Sequence, residues 1–176
     1  DLEGLSAGII AAAAETAAQK MEKATTDQEK AKYKDKYVFT PHRSSMYPFL
    51  TESSRRDLRE QLYKAYVQRG DNNNKTDNKE IAAKIAKLRA ERAQLMGYET
   101  HAQFVLEERM LKTPEEVYEL LMQLWKPALE RAQVEVADMQ KVVEQEGHDF
   151  KIAAWDWWQY SEKVRKAKYD LDEAAL

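Results

Sequence analysis

Cysteine is absent from the 176-residue sequence, so neither a disulfide nor a thiolate metal site is available to it. That absence leaves the compartment open, because secreted proteins also can lack cysteine. Histidine is scarce: His42, His101 and His148 each stand alone, and none pairs with another at the four-residue helical spacing of an HExxH zinc site. No Gly-rich phosphate loop, Gly-x-Ser-x-Gly elbow or cysteine nucleophile occurs. A basic excess is missing as well. The net charge is -3, with both signs mixed along the chain, which argues against a nucleic-acid or anionic-membrane binder. No apolar run approaches the roughly 20 residues that span a bilayer, and no signal-peptide pattern opens the chain. The first residue is Asp1 rather than an initiator methionine, which points to a start that has been processed or cut.

What is present is helical periodicity. The stretch Thr113 to Gly147 opens with Thr113-Pro114-Glu115-Glu116, a cap hydroxyl, a proline at the first helical position and a glutamate that reaches back to the cap. Val117, Leu120, Leu121, Leu124, Ala128, Ala132, Val136, Met139 and Val143 then recur at spacings of three and four, drawing one stripe. Gly147 supplies the left-handed stop. Unbroken, such a helix would be roughly 50 Å long. Pro127 predicts a kink or two abutting helices. The stripe predicts flanking helices that cover it.

Around this stretch the sequence predicts a mainly α fold: a helical bundle built around one long kinked helix, with a small β-hairpin. An alanine-rich helix spans 6–24, with Ser6 as its cap, and 25–36 reads as a linker or solvated extension. The hairpin is expected over 37–50, from Tyr37-Val38-Phe39-Thr40 and Met46-Tyr47-Pro48-Phe49-Leu50, with Pro48 on an edge or bulge. A helical array fills 54–146. Within it, Asp71-Asn72-Asn73-Asn74 does not make an EF-hand loop, because Lys75, Thr76 and Ala82 stand where an oxygen ligand, a glycine and a bidentate glutamate are wanted. It reads as a turn whose side chains bond their own backbone. A Trp-rich helix follows over 155–171, with Asp156 as its N-cap and Trp157, Tyr160, Val164, Ala167 and Leu171 on one face. At least two of its tryptophans are expected in the core. That helical phase argues against Trp155 to Lys168 stacking single-stranded nucleic acid. The paired carboxylates Glu107-Glu108, Glu115-Glu116 and Asp170 to Glu173 fit caps or solvated faces, so no complete catalytic apparatus is visible. Asp170-Leu171-Asp172-Glu173 looks like the opening of a further helix, which points to a fragment of a longer protein.

Three runs carry a resemblance: Leu106 to Val117, Trp155-Asp156-Trp157-Trp158-Gln159-Tyr160, and Val164 to Glu173. They resemble the zinc metallopeptidase family of bacterial peptidyl-dipeptidase (dipeptidyl carboxypeptidase), oligopeptidase A, thimet oligopeptidase and neurolysin, the peptidyl-dipeptidase branch matching best. The likeness extends through 37–50 and 58–97. It implies an almost wholly helical enzyme of two halves around a deep channel that admits short peptides, with the HExxH helix and the remaining zinc ligand downstream of the matched region. Zinc is therefore expected in the full-length parent and none in this fragment, and neither a catalytic nor a metal-binding residue is assigned. The parent reaction would be release of C-terminal dipeptides by zinc-activated water. Alternatives are an oligopeptidase with endo-cleavage and a non-enzymatic helical interaction domain. The fragment alone is expected to be inactive, a structural wall whose partner is the remaining catalytic domain of the same chain. Truncation would expose apolar surface and invite self-association. The family's edge sheet corresponds to 37–50, which nominates His42, Arg43 and Tyr47 as substrate-channel residues, the alternative being ordinary hairpin contacts. The expected compartment is the cytoplasm, with the periplasm as alternative.

Overall fold

A computed structural model describes residues 1–169; the expected helix opening at Asp170 to Glu173 and the packing of Leu171 lie outside them. Eight α-helices occur among the described residues, with no strand. They are α1 (Ala7–Lys23), α2 (Asp27–Ala31), α3 (Arg43–Glu52), α4 (Arg56–Val67), α5 (Lys79–Leu95), α6 (His101–Leu106), α7 (Pro114–Gln145) and α8 (Trp157–Tyr169). A single 3₁₀ turn, Ala154–Asp156, leads directly into α8.

The mainly helical fold stands, but two parts of the expectation do not. There is no hairpin at 37–50. Tyr37 to Thr40 forms no regular element, Val38 N–H donating to the carbonyl of Ala13 at 3.0 Å, and Arg43–Glu52 is helix. The aromatic, β-like composition was outweighed by spacing. Met46, Phe49 and Leu50 fall three and four apart, and the helix buries all three on one side. Pro48 sits inside α3, where it forfeits a single backbone donor.

The second correction concerns the long helix. Its entry is as read: Thr113 Oγ1 accepts from Glu116 N–H at 3.3 Å while the Glu116 carboxylate accepts from Thr113 N–H at 3.1 Å. Yet α7 continues through Pro127 as one 32-residue element, not two abutting ones, and it is not the hub of a bundle. Only Met139 and Val143 of its stripe are buried; Leu120, Leu121, Leu124 and Val136 are exposed. A stripe of this kind predicts that a helix has something to cover, not that the cover lies in the same stretch of chain.

The residues divide into two compact units, Asp1–Val67 with the chain from Glu135 onward, and Gln68–Val134. In the first, α3 is central: it packs on α8, α4 and α1, while α4 lies against the 3₁₀ turn. Its core cluster is Met139, Val143 and Tyr160, joined by Val142, Phe150, Ile152, Trp157 and Val164. Each such side chain removed from water is worth roughly 1.5–3 kcal/mol. The expected face of α8 is therefore largely present, although Ala167 is exposed and the three tryptophans are each half-buried rather than core. The second unit pairs α5 with α6. Tyr98 meets the edge of Phe104 at 5.4 Å and the Arg92 guanidinium lies 5.0 Å from the same ring. α5 keeps Ile81, Ile85, Leu88 and Leu95 exposed, with Ala93 as its one buried residue.

Candidate functional site

The sequence-nominated residues sit at the start of α3. His42 holds the N-cap position, with extended backbone and no side-chain cap bond, and is exposed. Arg43 is the first helical residue, also exposed, and Tyr47 follows one turn later, half-buried. Arg43 and Tyr47 belong to one cluster. The Tyr66 hydroxyl bonds to the Arg43 guanidinium and, with Tyr47 close by, holds it above the usual arginine range. Tyr47 stacks on Trp158 with ring centroids 5.5 Å apart, and Trp158 meets Tyr63 at 5.9 Å. The result is a cation beside a bank of aromatic rings. His42 makes no ring contact of this kind among the described contacts.

Sequence reasoning missed the most heavily built polar centre of the first unit. Arg59 on α4 and Asp156 before α8 are both essentially sealed from solvent, at 1% and 0% exposure. Arg59 Nη2 donates to Asp156 Oδ1 at 2.8 Å and its Nη1 to the carbonyl of Ser53 at 2.7 Å. Arg56, one helical turn earlier, grips the same carboxylate through Nε and Nη2 at 2.9–3.2 Å. Ala153 N–H adds a fourth donor group at 3.0 Å, and Gln159 Nε2 bonds Ser53 O at 2.8 Å. The Asp156 side chain is thus not the simple helix cap the sequence suggested. It ties α4 to the entry of α8. Arg56 also lies 4.1 Å from the centre of the Phe150 ring. Arg59 is the single buried residue of α4, although Leu58, Leu62, Tyr63, Tyr66 and Val67 recur along one side of it. A signal existed: Arg56 and Arg59 share the first turn of α4, directly after Arg55, where cations oppose the helix dipole unless a carboxylate is waiting.

One loop and the three histidines bear on the metal question. In the 71–79 turn the ammonium of Lys79 sits among Asp71, Asn73 and Asp77, at 2.9 Å from Asn73 Oδ1 and 2.8 Å from Asp77 Oδ2. A side-chain cation occupies the middle of the oxygen cluster, and Lys79, first through its side-chain bond, holds the Asp77 carboxyl down at about 2. His42 opens α3, His101 opens α6 and His148 follows α7. Among the described residues no three His, Asp or Glu side chains come together in a way that could hold a metal ion. These residues do not fit a catalytic zinc, and no hydrolytic step is assigned to them. Nor is any described helix long and apolar enough to cross a membrane.

Among the described residues, then, the structure is a helical scaffold with an aromatic, cationic surface at the start of α3 and no cluster of metal-ligating side chains. Comparison with known proteins gives its family. Residues 49–176 match Peptidase family M3, and the chain belongs to that family. It is 32% identical to dipeptidyl carboxypeptidase of Escherichia coli over 175 residues, covering 99% of this chain and 24% of that protein. Oligopeptidase A of Salmonella typhimurium is 32% identical over 153 residues, 85% of this chain and 22% of that protein. Probable cytosolic oligopeptidase A of Arabidopsis thaliana is 31% identical over 183 residues, 100% of this chain and 24% of that protein. The chain thus spans about a quarter of the length of these curated relatives.

Proposed function

We propose that this chain is the helical part of a zinc metallopeptidase that releases C-terminal dipeptides from short peptides. The observation that carries the reading is the 32% identity to a dipeptidyl carboxypeptidase along 99% of the chain. In this reading the zinc ligands and the general base lie in polypeptide outside these 176 residues, which form wall for the catalytic part of the same protein and are inactive alone. The cytoplasm is the compartment, with the periplasm as alternative. Equal identity to oligopeptidase A supports a second reading, endo-cleavage of short peptides. The full-length peptidase on blocked hexapeptides separates the two: successive loss of dipeptides from the C-terminus, abolished by a chelator, is expected, and internal cuts would favour the second. Hydrolysis by the isolated chain would overturn the assignment.

The start of α3 is the part proposed to meet substrate. Arg43 and Tyr47 would present charge and ring surface to a passing peptide, and His42 would flank them. Replacing each in the full-length enzyme is expected to raise KM with kcat little changed. Three unchanged KM values would remove the idea. The apolar surface of α5 and of α7 through Leu124 is what the remainder of such a peptidase would cover. The isolated chain is accordingly expected to self-associate in light scattering and to bind a hydrophobic dye.

A further inference from the structure

Among the described residues, α5 is uncovered along most of its length. Every residue from Lys79 to Arg92 is exposed, and Ala93 is the first that is buried. Its large apolar side chains are nonetheless ordered: Ile81, Ile85, Leu88 and Leu95 recur at steps of four, three and seven, the seam by which one helix packs along another. Lys84 and Arg89 stand one residue outside that seam, on opposite sides of it, at the positions whose charges choose a partner. Neither has an ion-pair partner among the described residues. The acid on this border, Glu91, already lies 3.7 Å from Lys87. The face is therefore an apolar seam with an unanswered cation on each edge.

We propose that this face docks an amphipathic helix whose own apolar seam is edged with aspartate or glutamate. Its source, resting on the reading of this chain as part of a longer peptidase, is the catalytic part of the same protein. Opposite charges at the edge positions fix partner and orientation while like charges repel, so Lys84 and Arg89 select against a basic cover. A second copy of this chain fits the face poorly. Parallel pairing sets Lys84 of one helix against Arg89 of the other, cation on cation. Antiparallel pairing with Ile85 over Leu88 sets each Arg92 against the other helix's Ile81, and Arg92 is already engaged 5.0 Å from its own Phe104 ring. An acid-edged helix meets neither conflict: it covers the seam and gives both cations the carboxylates they lack.

The experiment is a fluorescence-anisotropy titration of the intact 176-residue chain against two labelled, end-blocked helical peptides of about four heptads. Both carry isoleucine and leucine along the seam; one has glutamate at every edge position and the other lysine, so each repels its own copies. The glutamate peptide is expected to bind saturably and about tenfold tighter than the lysine peptide at low salt, the scale of two exposed pairs gained against two repulsions. The gap should close as salt rises. Lys84→Glu combined with Arg89→Glu is expected to reverse the preference; both side chains are exposed, so the fold is kept, which far-UV circular dichroism checks. The full-length peptidase is expected to leave the glutamate peptide unbound, because its own helix holds the face; binding as tight as to the 176 residues alone would overturn that source. Equal affinity for the two peptides, binding of neither, or a dimer of the chain that the double reversal abolishes would overturn the docking face itself. All of these are read from binding alone, so their failure is distinct from failure of the peptidase reading, which turns on dipeptide release by the full-length enzyme.

Discussion

Removing the Asp156 carboxylate should damage the first unit more than any other single polar change. Asp156→Ala leaves Arg59 at 1% exposure with its opposing charge gone, and strips Arg56 and the Ala153 N–H of their acceptor at the same time. Breaking a buried pair from one side costs about 3–5 kcal/mol, because the surviving charge has lost the water it gave up and the partner that offset it. For a chain of this size that corresponds to a drop in Tm of roughly 10 °C. The assay is urea unfolding followed by tryptophan fluorescence, since Trp155, Trp157 and Trp158 flank the altered residue. Two companions make the reasoning refutable. High salt should leave the loss nearly unchanged, as closed pairs are little screened. The triple change Arg56→Met, Arg59→Met, Asp156→Leu should recover most of it, because the desolvation cost disappears along with the attraction. A loss under about 1 kcal/mol, or a triple variant no better than Asp156→Ala, would show that the centre is not the electrostatic joint described.

Four further outcomes are expected. Tyr160, pushed up to about 12 chiefly by burial and then by the adjacent Glu146 carboxylate, should be among the last of the nine tyrosines to ionise in a spectrophotometric titration. Because its folded value lies above the unfolded one near 10, the stability it confers is fully present below pH 10 and is lost as pH rises towards 12, so a midpoint at an ordinary value would contradict the packing of α8 on α7. Thr113→Ala removes the hydroxyl that caps α7 and should cost about 1 kcal/mol, read as fraying of the helix start by amide hydrogen exchange. Gly4→Ala should destabilise more than Gly147→Ala although both have positive φ: a Cβ at Gly4 would meet the Glu52 carbonyl oxygen at 2.4 Å, whereas at Gly147 nothing lies within 4 Å. Thermal melts that rank the two the other way would place the crowding elsewhere. Finally, replacing Leu120, Leu121 and Leu124 with glutamines should suppress dye binding and self-association of the isolated chain without lowering its Tm, since none of the three is buried in it.

Why some of this was legible and some was not follows from where each signal is stored. Helix entries are local: Thr113 with Glu116, and Thr100 with Gln103, carry their donors and acceptors within four residues, and both capping boxes are present. Helix exits at Gly97 and Gly147 are local too, and both glycines take the left-handed conformation. The segment 37–50 went wrong because two local signals disagreed, aromatic composition for a strand and the three-four spacing of Met46, Phe49 and Leu50 for a helix. Spacing prevailed because it decides what can be buried together, while composition only biases the backbone. The exposed stripe of α5 and α7 is a different kind of miss. Periodicity reports that a face was selected to be covered, and is silent on which polypeptide covers it.

The site shows the sharper limit. Arg59 and Asp156 lie 97 positions apart, and nothing within either neighbourhood names the other. Each has an innocent local reading, a solvated cation on α4 and a cap before a Trp-rich helix, and each reading is energetically sound for an isolated helix. They fail only when α3 brings the start of α4 and the entry of α8 onto the same side, at which point water is excluded and each charge requires the other. Two helices held by desolvated charge have few alternative registers, because sliding by one residue would strand a cation in the interior. That specificity gives a physical reason for an Arg–Asp–Arg centre to stand where an aliphatic pair would pack as well. It also predicts that the triple aliphatic variant, although stable, will position Trp158 against Tyr47 less uniquely, seen as broadened aromatic resonances in an otherwise folded spectrum.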